Sequence, residues 1–318
     1  MQLIQGLNQI PSRGTVATIG TFDGVHLGHR YVIDRLAKVG KRLKLPVTVV
    51  LFEPQPREYF TGSAAPARLT RLREKLAHLR ELPVDRVLLL RFNRRLAALS
   101  ASEFIGRVLV EGLGVRHLVV GDDFRFGCNR EGDFNLLSQA GGSHGFDVMS
   151  MPSFTIDGVR VSSTRIRELL ERGDLARAAR YLGRTYSMCG RVTTGRRRGR
   201  DLGFPTANLD PCRRKSPISG VFAVRVDGLD TGSLPGVANV GVRPTVEGEG
   251  GRVLLEVHLF DYEGDLYGRR LEVFFHHKIR EERRFASLDA LRKQIEKDVA
   301  LARQWLQSQE NPWTTRVL

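Results

Sequence analysis

The feature that most restricts the fold of this chain is a change of hydrophobic rhythm near residue 183. Up to that point, short β-branched runs alternate with longer stretches of helical period. Residues 15–20, 46–52, 84–92, 116–124 and 146–154 read as strands, and 29–43, 67–82, 100–113 and the start of 134–145 as helices. Strands separated by helices predict a parallel sheet covered by helices, because parallel neighbours need a crossover between them. Such sheets take ligands at the carboxyl ends of their strands. After a helical patch at 162–183 the pattern changes. Residues 186–192, 220–228, 234–241, 252–261 and 270–279 are short strand-like runs parted by Gly and Pro, which predicts an antiparallel sheet or small barrel. In the closing segment, 287–307, Leu288, Leu291, Ile295, Val299, Ala302 and Leu306 recur at steps of three and four and mark one face of a helix. The expected fold is an α/β domain with a doubly wound parallel sheet over residues 1–183, followed by an antiparallel β-barrel domain with a C-terminal helix over 184–318. A length of 318 residues suits two cores better than one.

Charge and cysteine content narrow the function. The net charge of +15 invites a nucleic-acid reading. The basic residues are scattered, however, and the clusters are short: Arg196, Arg197, Arg198 and Arg200, then Arg213, Arg214 and Lys215. There is no basic tail, zinc-finger pattern or RNP-type signature, and scattered charge serves anionic small substrates equally well. Nucleic acid is therefore not expected as a partner. Cys128, Cys189 and Cys212 form no C-x-x-C pair and cannot make a disulfide framework, which fits a reducing, cytoplasmic setting. No apolar run approaches the roughly 20 residues that span a bilayer, and the N-terminus lacks a secretory pattern, so no membrane association is expected.

Three segments carry chemistry. GTFDGVHLGHR, residues 20–30, follows a strand and opens a helix. Its glycines allow close backbone approach to a ligand. His26 and His29 are three apart and share a helical face, at a helix N-terminus that attracts phosphate. The segment is neither a Walker P-loop nor a G-x-G-x-x-G fingerprint. Alone, the pair also fits two surface histidines or a weak metal pair; strand, glycines and helix together favour phosphate. The second segment, VSSTRIRELL at 161–170, offers Ser162, Ser163 and Thr164 as cap hydroxyls with Arg165 and Arg167 behind them, either a second phosphate corner or an ordinary capped helix.

The third, TTGRRRGRDLGFPTANL at 193–209, combines Gly195, Gly199 and Gly203 with four arginines, a cationic loop suited to polyphosphate or simply a basic surface loop. Thr206 and Asn208 are two apart, so in extended chain they point to one side. Their hydroxyl and carboxamide oxygens are hard ligands of the kind Mg²⁺ accepts. Downstream, Glu256 and His258 alternate onto one face of a strand, where Glu256 is either a proton acceptor or a solvated strand residue.

FDGVHLGH, FEPQPREYF (52–60), GDDFRFG (121–127), VSSTRIR, LGFPTAN and LLEVHLFDYEGDLYGRRLEVFF (254–275) together resemble the bacterial bifunctional riboflavin kinase/FMN adenylyltransferase family, also called the prokaryotic FAD synthetases. The resemblance implies a flavin-forming transferase that uses riboflavin, ATP and Mg²⁺ and yields FMN and FAD. For the adenylyltransferase it implies that His26 and His29 hold the ATP phosphates and that Gly20, Phe22, Asp23 and Gly24 line the nucleotide pocket. Ser163, Thr164 and Arg167 would complete the triphosphate site, and Asp123 would make a nucleotide or flavin contact. For the kinase it implies ATP and Mg²⁺ at Gly195, Gly199, Gly203, Thr206 and Asn208, Glu256 as acceptor of the riboflavin 5′-hydroxyl proton, and flavin-side contacts from GVANVGVRPTV (236–246) and IREERRF (279–285), with Arg280 of the latter on the flavin. CNREGD keeps the turn that follows GDDFRFG, and Cys128 within it is read as incidental. A nucleotidyltransferase for another phosphorylated metabolite would share the first motif but has no need of the second half.

Overall fold

The computed structural model describes residues 1–7, 14–194, 203–243 and 251–310. The chain divides into two compact units, residues 1–66 with 70–163 and residues 67–69 with 164–318.

The first unit is built on an all-parallel, six-stranded sheet of order β1-β4-β3-β2-β5-β6. The strands are β1 (Gln2–Gln5), β2 (Thr15–Ile19), β3 (Val47–Glu53), β4 (Arg86–Arg91), β5 (Val115–Gly121) and β6 (Asp147–Met151), followed by a small antiparallel hairpin of β7 (Thr155–Ile156) and β8 (Val159–Arg160). β1 escapes sequence reading because, of its four side chains, only Ile4 is buried, too little for a period to show. The helices are α1 (Leu27–Leu43), α2 (Pro56–Thr61), α3 (Leu72–Arg80), α4 (Arg94–Ala97), α5 (Ala101–Phe104), continued by a π-helical stretch Ile105–Gly112, and α6 (Phe134–His144). The helix expected over 67–82 is thus confined to α3. Alternate residues of a strand serve opposite faces: Ala17 and Val50 join one apolar core, while Val16, Val49 and Leu51 join those on the other side. This is the doubly wound arrangement. The chain lays β3 and β4 on one side of β2 and returns to place β5 on the other, so the sheet reverses between β2 and β5. The crevice at the carboxyl ends of those two strands is where such sheets bind ligands.

In the second unit the expected helical patch is two helices, α7 (Ser163–Glu171) and α8 (Leu175–Leu182). They break at Gly173, whose φ is +77°, before Asp174 caps α8 by accepting from the Arg177 amide at 3.1 Å. β9 (Ser187–Thr193), β10 (Ala207–Asp210), β11 (Gly220–Asp227), β12 (Leu234–Arg243), β13 (Arg252–Leu259) and β14 (Arg270–Arg280) close into an antiparallel barrel of order β10-β13-β12-β11-β14-β9. α9 (Leu288–Glu310) packs Ala302 and Leu306 onto Val221, Ala223 and Val237. Leu288 does not share this buried face and is 65% exposed, because only the later turns of α9 reach the barrel. The shift from α/β to β falls at Gly183, whereas compactness groups α7 and α8 with the barrel, where α8 packs on β14.

Burial holds the imidazoles of His117 in β5 and His276 and His277 in β14 below the ordinary histidine range; the Arg225 charge adds to it at His276. A depressed folded value means that the unfolded chain binds more protons just below neutrality. The stabilisation is complete above about pH 6.5 and is lost as pH falls from there through the folded values. Thermal melts between pH 8 and pH 5 are expected to show a Tm that holds steady and then declines below about pH 6.5. A Tm flat over the whole range would contradict this account.

Candidate functional site

In the first unit, β2 runs straight into the glycine-bearing loop. Phe22, Gly24 and Val25 have φ of 47°, 87° and 41°. Two of them are not glycine, so the left-handed backbone must be held by its surroundings. Asp23 does much of this from inside: its carboxylate, 1% exposed, accepts from the Thr70 amide at 3.0 Å and the Thr70 hydroxyl at 3.3 Å. The Gly24 amide donates to Thr70 Oγ1 at 2.9 Å, the Ser163 hydroxyl donates to the Asp23 carbonyl at 2.8 Å, and buried Lys75 donates to the Thr21 carbonyl at 2.5 Å. Ser163 is thereby tied to the loop. Thr164 and Arg167 belong by compactness to the second unit, where Arg167 Nε donates to the Ala67 carbonyl at 2.6 Å. Thr70 and Lys75 carry no sequence signal; in RLREKL a lysine reads as a solvated charge.

The loop delivers His26 to the N-cap of α1 and His29 to its first turn. The rings stack 3.6 Å apart at 19°, and the Phe22 ring lies 4.7 Å from His29. His26 is buried and His29 half-buried. The His26 amide donates to His29 Nδ1 at 3.3 Å. An accepting Nδ1 leaves the proton of the neutral ring on Nε2, so His29 carries its N–H away from its own cap. Gly28 fits beneath this pair: a Cβ there would stand 3.2 Å from His26 Cε1. No acidic residue occupies the first turn of α1, where the helix dipole is positive. Two imidazoles and helix-end amides thus gather at the carboxyl end of β2, groups of the kind that can donate to an anion.

Asp123, after β5, is exposed and accepts from Arg160 at 2.8 Å. Near the carboxyl ends of β3 and β4, Phe52, Tyr59, Phe60 and Phe92 form a set of edge-to-face rings 5.2 to 5.7 Å apart, with Phe60 67% exposed. FEPQPREYF contains three of these rings, yet no periodicity in it announces that they cluster.

In the second unit, Gly195 and Gly199 lie outside the described residues; Gly203 has a φ of +84°. Thr206 is exposed just before β10, and Asn208 lies within that strand. Asn208 pairs with Glu256 of β13, and Glu256 pairs in turn with Asn239 of β12. Leu255 and Val257 point into the barrel core, so Glu256 and His258 alternate outward, as the sequence predicts. His258 Nδ1 lies 2.9 Å from the Pro205 carbonyl and its ring stands edge-on to Phe204 at 5.5 Å, which fixes the residues leading into Thr206. A cavity of about 490 Å³ opens beside Thr206, with Val257, Tyr262, Asp265 and Tyr267 among its walls. The Arg280 guanidinium makes a bidentate pair with buried Asp298 of α9 at 2.7 to 3.0 Å and donates to the Glu281 carbonyl at 2.9 Å. That geometry is a strap for the helix. Among the described residues no three His, Cys, Asp or Glu side chains converge as a metal site.

Comparison with known proteins gives a consistent result. A family model described as FAD synthetase matches residues 8–165, and one described as riboflavin kinase matches residues 182–306. The bifunctional riboflavin kinase/FMN adenylyltransferase of Pseudomonas fluorescens is 54% identical over 305 residues, which is 95% of this chain and 97% of that protein. The protein of the same description from Escherichia coli is 54% identical over 308 residues, covering 96% and 98%. That of Haemophilus influenzae is 48% identical over 311 residues, covering 97% and 100%. Among solved structures, one described as a macrolide-efflux protein from Streptococcus pneumoniae is similar with a TM-score of 0.79 at 27% identity, over 96% of this chain and 100% of that one. Among the described residues of this chain, no helix is long and apolar enough to cross a membrane.

Proposed function

The chain belongs to the bifunctional riboflavin kinase/FMN adenylyltransferase family, and we propose that its two activities are carried by the histidine loop of the first unit and the Asn208–Glu256 strand pair of the second. The enzyme phosphorylates riboflavin to FMN with ATP and adenylylates FMN to FAD with release of pyrophosphate.

For adenylyl transfer, a phosphate oxygen of FMN attacks the α-phosphorus of ATP and the bond to the β-phosphate oxygen breaks. Negative charge grows on the departing pyrophosphate. His26, His29 Nε2–H and the first amides of α1 meet that charge with fixed donors. Gly20, Phe22, Asp23 and Gly24 set the path of the loop that lines the nucleotide pocket, Asp23 by its bonds to Thr70. The exposed rings of Tyr59 and Phe60, set against half-buried Phe92, offer a face for a flavin ring, and Asp123 a polar neighbour beyond β5.

The observation that carries the kinase assignment is the register that sets Asn208 directly opposite Glu256. The Glu256 carboxylate takes the 5′-hydroxyl proton as that oxygen attacks the γ-phosphorus, and ADP leaves. The Thr206 hydroxyl and the Asn208 side-chain oxygen are hard donors beside it and suit Mg²⁺ that keeps water and phosphate ligands. When bound, Mg²⁺ neutralises charge on the transferring phosphates. The cavity beside Thr206, flanked by Tyr262 and Tyr267, has the room and apolar walls for the ATP base. Three cysteines with no C-x-x-C pair support a cytoplasmic setting.

Residues 1–183 and 184–318 are the proposed limits of the two activities. Incubating the whole chain with riboflavin, ATP and Mg²⁺ and separating the products should show FMN first and FAD after it. Fragments 164–318 and 184–318 should both make FMN and no FAD, the shorter melting lower because it lacks α8 against β14. FAD from either fragment, or no FMN from the longer one, would overturn the assignment.

A further inference from the structure

The chain leaves β13 through Phe260 and Asp261. Phe260 is 2% exposed and sits in an apolar cluster with Ala302 and Leu306 of α9. Its amide donates to the Pro235 carbonyl at 3.0 Å, which anchors the backbone as the strand ends. Asp261 then turns the chain with a φ of +55°. That left-handed conformation is uncommon outside glycine and persists where neighbours hold it. Directly beyond come Tyr262, Asp265 and Tyr267, walls of the cavity beside Thr206. The backbone at Asp261 therefore decides where that wall stands.

Arg303 of α9 grips this turn. Its Nη1 donates to Asp261 Oδ2 and its Nη2 to Oδ1, both at 2.8 Å, a fork-to-fork pair. The same guanidinium lies 4.3 Å from the centre of the Phe260 ring, within reach of a cation–π attraction. One side chain thus holds two consecutive residues, the first buried and the second exposed. The Asp261 side chain is 77% exposed, and an ion pair so exposed adds little to the stability of a fold. What a planar fork stacked on a ring does supply is direction. Among the described residues no wall of the cavity comes from α9, so the reach of Arg303 to the cavity is through this turn.

We infer that Arg303 is a positioning residue of the kinase, one that sets the turn after β13 so that the cavity wall from Tyr262 to Tyr267 meets the ATP base. The inference rests on the reading of that cavity as the place of the base. It gives the closing helix a part in nucleotide binding besides its packing on the barrel. It also accounts for a polar fork over the Phe260 ring: an apolar side chain would cover the ring as well but would leave Asp261 without its partner.

In the full-length enzyme, FMN formation gives kcat and separate KM values for ATP and for riboflavin. Arg303→Ala should raise the KM for ATP about 3- to 30-fold, the joint worth of an exposed bidentate pair and a cation–π contact. The kcat and the KM for riboflavin should stay within about twofold. The KM for ATP in FAD formation from supplied FMN should not move, because that site belongs to the other unit. Asp261→Asn keeps a residue that tolerates the left-handed turn but loses the charge, and should raise the KM for ATP less. The double variant should go no further than Arg303→Ala alone, since both changes act through one contact. If Arg303→Ala fails to fold, Arg303→Lys, which keeps the charge without the fork, carries the same comparison with a smaller rise. A normal KM for ATP in Arg303→Ala, a parallel rise in the KM for riboflavin, or effects that add in the double variant would each overturn the inference. Failure of the cavity reading shows separately: Tyr262→Ala removes a wall outright, and an unaltered KM for ATP in that variant would place the base elsewhere and overturn both.

Discussion

Replacing Glu256 by glutamine should cut the rate of FMN formation by about 10²- to 10⁴-fold, the usual worth of a positioned general base. Glutamine keeps the shape and one acceptor oxygen but takes up no proton at neutral pH. Glu256 is held by strand pairing on both sides, to Asn208 and to Asn239, so the substitution should leave the backbone where it is. The same variant should convert supplied FMN to FAD at the normal rate, because the histidine loop belongs to the other unit. Phosphoryl transfer passes through a loose transition state in which positioning can outweigh proton removal. A loss of only about tenfold would thus mark Glu256 as an orienting group for the hydroxyl. No loss would place the base elsewhere.

The mirror-image result is expected from His29→Ala. FAD formation should fall about 10²- to 10³-fold, as when one donor to developing charge is removed, while FMN formation persists. The neighbouring variant His26→Ala should lower FAD formation similarly and also lower the Tm. His26 is buried, caps α1 and stacks on His29, so its removal opens a gap at the head of the helix. Equal loss of both activities in His29→Ala would point to unfolding, and normal FAD formation would make these surface histidines.

The strand and helix order of both halves is legible in the sequence because most elements bury a regular face. It fails where burial is thin or context decides. β1 hides because only Ile4 faces inward, and Leu288 reads as core although the first turns of α9 project past the barrel. The motifs announce His26, His29, Asn208 and Glu256, whose placement follows from near neighbours in sequence or from strand alternation. They do not announce Thr70 and Lys75, whose bonds to the histidine loop span 46 to 54 residues and look like ordinary polar positions until the chain folds. Asp23 shows the converse: the motif marks it, but its carboxylate turns inward to Thr70. The resemblance puts Arg280 on the flavin, and the fold adds a bidentate pair with Asp298, eighteen positions later on α9, that no motif marks.

Barrel closure also has a consequence in time. β9, the first barrel strand to be synthesised, pairs with β14, the last. The parallel sheet is wound largely from neighbouring segments and can begin to form while the ribosome is still at work, but the barrel waits on its most distant partner, a pairing of the kind that forms slowly. Until residue 280 has left the ribosome, β9 has an unmet edge. A premature stop anywhere between β10 and β14 therefore does not produce a weaker kinase; it leaves a chain whose FMN-forming half never closes, with exposed strands open to pairing with other chains.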